Sequence, residues 1–364
     1  MHTRTETRAF RIGTLPIGGG APVSVQSMAN EDPHDADALV RQVESCASLG
    51  CDLMRLTVPD IEAAKTLGEV KRRTSIPLVA DIHFDYRCAL AAIEAGVDAL
   101  RLNPGNIGGR DRVQAVARAA KERGVPIRIG VNLGSVEKDL APDFSKGADY
   151  LRAAVPEALV ASAMRHVKLL EDEGFRDIVI SVKASNVADT LSSYRLLAER
   201  TDCPLHLGVT EAGTLLPGTV RSSVALGILL SEGIGDTIRV SLTDAPEREV
   251  RVGMEILRSL GMKAAGPSIT SCPTCGRTKA NVFKVAAEVE DALEKLYLSE
   301  GRPAGFPHVA VMGCVVNGPG EAKGADVSLC GGDGEFLLYV KGDLVARVAE
   351  KDAVSEVVRH VVHT

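Results

Sequence analysis

From residue 23 onward, short runs rich in β-branched residues alternate with stretches whose apolar positions recur every three or four residues, and the alternation repeats eight times. The predicted strands cover residues 23–28, 53–59, 77–84, 99–103, 126–132, 177–186, 205–211 and 236–243. The segments between them, such as 35–50, 110–124 and 156–174, read as amphipathic helices. Gly50, Gly96, Gly124, Gly174 and Gly233 stand where a helix C-cap precedes the next strand. Eight βα units with right-handed crossovers close most naturally into a TIM (β/α)8 barrel. A doubly wound open sheet is the alternative, but no G-x-G-x-x-G follows the first strand. Gly18-Gly19-Gly20 precedes it and serves a turn.

After Leu260 the cadence stops, and Gly266-Pro267 marks a boundary. The expected organisation is therefore a barrel domain over 1–262 and a small α+β domain over 263–364. The latter is predicted to hold a helix over 280–299, strands over 308–312 and 335–340, a hairpin turn at Gly331-Gly332-Asp333-Gly334 and a last helix over 351–362.

The strands carry a weak internal repeat: Met54-Arg55-Leu56-Thr57, Leu100-Arg101-Leu102-Asn103, Ile127-Arg128-Ile129-Gly130 and Ile238-Arg239-Val240-Ser241, with Lys183 in the sixth strand. Side chains alternate across a strand, so each cation shares a face with the small or polar residue two positions on. An unpaired guanidinium is too costly to bury as packing. Each cation has to meet a carboxylate or a bound anion, and the strand acids Asp81 and Glu211 are too few for all five. The count calls for a polyanion held by Arg forks at the C-terminal ends of the strands. Asp81 and His83 share a strand face, where an acid can orient an imidazole or both can contact a ligand. His206 reads as packing.

Composition narrows the class. With 45% hydrophobic and 25% charged residues this is ordinary globular material. A formal charge of −6 and only 3% aromatics, with no tryptophan, disfavour a nucleic-acid partner. No run approaches the roughly 20 apolar residues of a membrane span, and residues 1–8 lack the apolar core of a secretory signal, so the expectation is a cytoplasmic protein. Among eight cysteines, Cys46, Cys51, Cys88 and Cys203 lie in apolar or helical contexts and read as small buried hydrophobes.

Three others do not. Ser271-Cys272-Pro273-Thr274-Cys275-Gly276 offers two thiolates to one metal centre, and Gly313-Cys314-Val315-Val316-Asn317-Gly318-Pro319-Gly320-Glu321 supplies a third from a distant loop. A zinc ribbon would need a second C-x-x-C after a shorter spacer. An iron–sulfur site is the favoured reading, zinc the runner-up, and by chemistry alone Cys330 rivals Glu321 as a fourth ligand.

These two segments, with Arg277-Thr278 after the first and Ala322 after the second, resemble the signatures of the hydroxymethylbutenyl diphosphate synthase family, and with the barrel strands the likeness spans almost the whole chain. The resemblance implies a [4Fe–4S] cluster on Cys272, Cys275, Cys314 and Glu321. It implies substrate contacts at Arg55, His83, Arg101, Asn103, Arg128, Asn132, Lys183, Glu211, Arg239 and Ser241, the ligand being a cyclic diphosphate. It further implies reductive opening of that ring, with catalytic roles for Glu211 in proton handling and Glu321 at the cluster. A carboxylate on the fourth iron can yield its place, so that iron can serve as Lewis acid as well as electron conduit. Ferredoxin or flavodoxin is the expected electron donor, since no nicotinamide or flavin fingerprint is present. The expected assembly is a homodimer in which the cluster domain of one subunit covers the barrel of the other. Two rivals stand beside this: a redox sensor that binds a phosphorylated metabolite, and a zinc-stabilised barrel enzyme acting on a phosphosugar.

Overall fold

The structure, a computed structural model, describes residues 2–263, 266–300, 305–316 and 318–362; of Glu321 it describes the backbone alone. The chain divides into two compact units, Met1–Lys263 and Ala264–Thr364.

The first unit carries parallel strands β1 (Ser24–Met28), β2 (Leu53–Thr57), β3 (Leu78–Asp81), β4 (Ala99–Leu102), β5 (Ile127–Asn132), β6 (Ile178–Lys183), β7 (His206–Leu207) and β8 (Thr237–Ile238). They hydrogen-bond in the order β6-β5-β4-β3-β2-β1-β8-β7. A parallel bridge between Ile180 and Leu205 joins β6 to the segment entering β7, which closes the ring. Each strand is followed by a helix: α1 (Ala36–Ser48), α2 (Ile61–Arg73), α3 (Tyr86–Glu94), α4 (Arg110–Arg123), α5 (Ala148–Glu171), α6 (Val187–Arg200), α7 (Leu215–Ser231) and α8 (Pro246–Ser259).

Local chemistry places these helices. The carboxylates of Asp35, Asp60 and Asp85 and the Asn186 amide accept first-turn N–H groups of α1, α2, α3 and α6. Gly124 ends α4 in a left-handed conformation, φ 64°, and its N–H caps the carbonyls of Ala120 and Lys121. Outward strand residues such as Met54, Leu56, Leu100 and Ile129 join the helices' apolar stripes in one large core.

Inward residues form layers because the strand period is two. The lowest layer is apolar: Leu53, Val79, Ala99 and Val179 pack on Ile12 and Ile17. Those two come from an antiparallel hairpin, Phe10–Ile12 with Leu15–Ile17, that plugs the N-terminal end of the barrel. Two residues further along each strand, at Arg55, Asp81, Arg101 and Ser181, the lining turns polar.

The seventh and eighth strands, expected over 205–211 and 236–243, retain only two residues of regular ladder each. Beyond them single bonds persist, Arg239 N–H to Leu207 O at 2.9 Å and Thr210 N–H to Ala184 O at 3.0 Å. A Cβ on Gly208 would lie 2.6 Å from the Arg239 carbonyl, closer than a pleated pair of side-chain-bearing residues allows.

The second unit is a five-stranded sheet, β9 (Ser268–Ser271), β10 (His308–Met312), β11 (Val327–Gly331), β12 (Glu335–Val340) and β13 (Asp343–Ala349), in sequential order. The first three strands run parallel and the last two pair antiparallel. Helices α9 (Val282–Ser299) and α11 (Ala353–Val362), on either side of the short α10 (Gly318–Glu321) in sequence, pack Val285, Val289, Leu293 and Val357 on Val309, Val311, Leu329, Phe336 and Leu338. Ala310, Met312 and Cys330 form a separate apolar cluster with Ala322 and Ala325, and Cys272 packs against it. Among the described residues no helix is long and apolar enough to cross a membrane.

Candidate active site

Near the C-terminal ends of the barrel strands lies a cavity lined by Arg55, Arg101, Arg128, Asn132, Lys183, Arg239 and Ser241, together with Gly130, Ser181, His206 and Thr210. Two glycines make room for the cations. A Cβ on Gly130 would stand 2.5 Å from Arg101 Nε, and one on Gly208 would stand 2.7 Å from Lys183 Nζ. The strand pattern thus clears space for charged groups that point inward.

Pairing is incomplete. Asp81 serves two guanidiniums, Arg101 Nη1 at 3.2 Å and Arg55 Nε at 3.7 Å. Glu249, from α8, takes Arg239 in a two-pronged contact at 3.2 and 3.3 Å. Arg128 donates to the Gln26 amide oxygen, and Lys183 has no carboxylate within 4.0 Å among the described residues. Five cations face two carboxylates. Arg101 Nε, Arg128 Nη2, Gln26 Nε2 and His206 Nε2 are buried and lack a hydrogen-bond partner.

The electrostatic consequences follow. Burial alone would raise the Asp81 carboxyl, but Arg55 and Arg101, helped by His83 and Arg128, hold it below the ordinary carboxylate range. Burial pushes the Lys183 ammonium well below its usual pKa, and repulsion from Arg239, Arg55 and Arg128 adds to it. Burial, with repulsion from Arg239 and Arg101, lowers Arg55 to about 10, against the attraction of Asp81. Burial and the charges of Arg55 and Arg101 destabilise the Arg128 cation, and a guanidinium does not shed its proton. A bound anion would relieve that unfavourable energy.

Three residues of the expected set stand outside the cavity wall. Asn103 is buried behind it, its Oδ1 accepting Gly130 N–H at 3.1 Å. His83 lies beyond the end of β3, half exposed, with Nε2 3.9 Å from Asp81 Oδ2, which is too far for a hydrogen bond. Glu211 is exposed in a turn after β7, with φ 52°, one of three described non-glycine residues in the left-handed region.

His206, read as packing, is in fact part of the wall. It is 1% exposed, and its Nδ1 lies 2.7 Å from Thr237 Oγ1. Burial and the facing Arg128 and Lys183 keep it neutral. Glu249 and Gln26 are also new. Glu249 is on a helix, outside the strand repeat, and Gln26 is one polar residue in a short strand; only the inward parity of position 26 could have flagged it.

In the second unit the thiols gather at the C-terminal ends of β9 and β10. Cys272 donates its N–H to Val311 O at 3.2 Å, and its Sγ accepts Gly313 N–H at 3.1 Å. Thr274 takes a left-handed φ of 64°. Beyond it, Cys275 N–H donates to Thr278 Oγ1 at 3.1 Å. Lys279 N–H to Gly313 O, at 3.2 Å, ties this loop to the one bearing Cys314.

Among the described residues no three His, Cys, Asp or Glu side chains close on a single ion. A single zinc would need its thiolates about 3.8 Å apart, from its Zn–S bond length in tetrahedral geometry. A cluster gives each thiolate its own iron, and the amide-to-sulfur bond at Cys272 suits a cluster thiolate. The Glu321 side chain lies outside the described residues. Cys330 is fully buried beside this region; burial, then the charges of Cys314 and Cys272, push its thiol up to about 11.

Comparison with known proteins agrees across both units. Residues 7–254 match the GcpE TIM-barrel domain and residues 268–363 the GcpE protein C-terminal domain. The 4-hydroxy-3-methylbut-2-en-1-yl diphosphate synthase (flavodoxin) of Clostridium acetobutylicum is 51% identical over 358 residues, covering 98% of this chain and 99% of its own. The enzyme of the same name from Geobacter sulfurreducens is 52% identical, covering 98% of each. Among solved structures, the Yersinia pestis dihydropteroate synthase overlays 70% of this chain and 97% of its own at a TM-score of 0.50 and 15% identity, a likeness of barrel fold alone. The chain belongs to the GcpE family, that of the 4-hydroxy-3-methylbut-2-en-1-yl diphosphate synthases.

Proposed function

We propose that this protein carries out the reductive dehydration of 2-C-methyl-D-erythritol 2,4-cyclodiphosphate to 4-hydroxy-3-methylbut-2-enyl diphosphate, a step of isoprenoid biosynthesis by the methylerythritol phosphate route. Family membership supports the reaction. One observation supports the substrate class most strongly: five cations at the barrel mouth face two carboxylates, with a buried Arg128 nitrogen unpartnered. Such a site is matched by a diphosphate, whose oxygens accept the orphaned donors and whose charge removes the repulsion.

Arg55, Arg101, Arg128, Lys183 and Arg239 hold the diphosphate; Asn132 and Ser241 complete the wall. Asn103 positions Gly130 from behind. His83 and Glu211 stand outside the cavity wall, on segments that follow its strands, where they reach the organic part of the ligand. The Glu211 carboxylate handles a proton at a substrate hydroxyl. The first unit is thus the substrate-binding domain and the second the cluster domain. Cys272, Cys275, Cys314 and Glu321 would hold a [4Fe–4S] cluster. When bound, that group supplies two low-potential electrons one at a time and a Lewis-acidic iron. Flavodoxin, named in the relatives' descriptions, is the electron donor. The reading includes a cytoplasmic homodimer in which each cluster domain covers the partner's barrel.

The test is anaerobic turnover. Purified protein, a low-potential donor and the cyclic diphosphate should give the linear allylic diphosphate with two electrons consumed per molecule. A colourless protein without iron and sulfide, or product formation without electron consumption, would overturn the reading.

A further inference from the structure

The formal charge of the chain is −6, yet residues 271–287 carry Arg277, Lys279 and Lys284 and no carboxylate. All three cations are exposed, as is Cys275 among them. Beside them lie apolar groups that the fold leaves in solvent: Phe283 is 74% exposed, Val316 69% and Val315 46%.

The backbone holds these groups together. Lys279 N–H reaches Gly313 O at 3.2 Å, and a Cβ on Gly313 would touch Thr278 and Val282 at 2.9–3.1 Å. Phe283 and Lys284 sit in the first turn of α9, which Asn281 caps through Lys284 N–H. The two loops and the first turn of α9 thus bring exposed apolar groups and three cations into one region beside the cysteines, where one carboxylate, Glu350, accepts Asn281 N–H at 3.1 Å. Lys284 approaches an acid only loosely, Glu288 at 3.9 Å within its own helix.

An aromatic ring and two valines held in water mark a surface that is covered at some stage of function. Cationic edges around an apolar centre favour an acidic partner, steering its approach and setting register while the apolar groups supply contact. We propose that this face, Phe283, Val315 and Val316 together with Arg277, Lys279 and Lys284, is the docking surface for the flavodoxin donor named for the relatives, which would approach through an acidic face. The inference rests on the electron-transfer reading above and adds where the donor sits. Docking here brings the flavin's exposed edge to Cys275, the exposed thiol of the C-x-x-C loop. Each encounter would pass one electron from the reduced flavin to the cluster that Cys272, Cys275 and Cys314 would hold. The contact is transient, with fast exchange and strong dependence on ionic strength.

The test uses the double variant Lys279→Glu/Lys284→Glu and, separately, Phe283→Ser, in the iron-loaded protein. Flavodoxin binding is measured by calorimetry or surface plasmon resonance, and turnover is compared with flavodoxin and with reduced methyl viologen, a small donor that needs no docking face. The expected result is flavodoxin affinity at least tenfold weaker in the double variant and a loss of most of its salt dependence. Phe283→Ser should weaken binding while keeping the salt dependence. Viologen-driven turnover should match the parent in both.

Unchanged flavodoxin affinity overturns the proposal. So does an equal fall with both donors, which would assign the face to the active site or to a second copy of the chain. Failure of the parent itself to turn over with viologen strikes at the reaction assigned above. The binding measurement still reports on the docking face in that event.

Discussion

Arg239 lays its Nε and Nη2 on the two oxygens of Glu249, at 3.3 and 3.2 Å, and the carboxylate that receives them is only 4% exposed. Glu249 also accepts Ser27 Oγ–H at 2.7 Å and Leu242 N–H at 3.0 Å. One helix residue therefore anchors a mouth cation, the first strand and the loop after the eighth. Without its charge, Asp81 alone would face five cations. Breaking such a buried pair costs about 3–5 kcal/mol. Glu249→Gln should lower the thermal midpoint of the free protein, and inorganic pyrophosphate should then raise it by more than in the parent. Melts with and without pyrophosphate check this; an equal or smaller shift in the variant would show that Glu249 does not restrain the mouth's positive charge.

Arg128 offers the converse. It is 6% exposed, flanked by cations and joined to Gln26, with Nη2 unpartnered. An isosteric apolar chain removes a buried charge that the free protein does not need. Arg128→Met should therefore melt at or above the parent's temperature and lose pyrophosphate binding by about 1.5–3 kcal/mol, the range for a charge-assisted bond. Calorimetric titration alongside the melt separates the two effects. A variant that melts lower and binds normally would make Arg128 a structural residue.

How much of this site was legible in the sequence depends on which element carries each part. Arg55, Arg101, Arg128 and Arg239 announced themselves because two-residue periodicity turns a repeated motif into a repeated direction. Glu249 did not, since a buried acid on an amphipathic helix looks like any polar-face residue until the helix is docked. His206 resembled packing because its neighbours are apolar, and only the closed ring shows that its face of β7 is the inner one.

In the second unit, β10 and β12 matched the predicted runs 308–312 and 335–340. Strands β9 and β11 were missed because four or five residues beside a cysteine loop or a glycine turn carry too little pattern. Strand β13 was missed because five of its seven residues are exposed, so it has almost no apolar alternation.

Buried imidazoles set the acid limb of stability. His206 and His166 are each 1% exposed. Burial lowers both, reinforced at His206 by Arg128, Lys183, Arg55 and Arg239; at His166 Glu137 opposes it and Arg165 adds to it. Their folded pKa values lie below the unfolded value of about 6.5. Between those limits the unfolded chain binds more protons, so stability is retained above about pH 6.5 and lost as pH falls below it. Each group contributes up to about 1.4 kcal/mol per pH unit. Asp236, raised by burial, acts with the opposite sign. Urea melts from pH 7.5 to 5.0 should show a slope that flattens in His166→Gln and again in the double variant with His206→Gln; parallel slopes would mean that both imidazoles take up protons in the folded state.

The thiols divide by environment, and that division makes the last prediction. Cys46 and Cys88 are 0% and 2% exposed inside the barrel core, with thiols raised by burial. Cys272 and Cys314 are partly exposed and Cys275 is exposed, in two loops joined by backbone bonds. Serine at position 272, 275 or 314 should remove the brown chromophore and most of the iron and sulfide, while Cys46→Ser and Cys88→Ser should keep them. Cys330 is the discriminating case. It is buried next to the same loops, close enough to Gly318 that a Cβ there would meet its sulfur at 2.9 Å. Its side chain is packed in an apolar cluster with Ala310, Met312, Ala322 and Ala325, and Cys330→Ser leaves room for the shorter side chain, so iron content and visible spectrum should survive the change. Loss of the cluster in Cys330→Ser together with its retention in Glu321→Ala would make the fourth ligand a thiolate. The iron would then lack the exchangeable oxygen ligand on which the proposed Lewis-acid role depends.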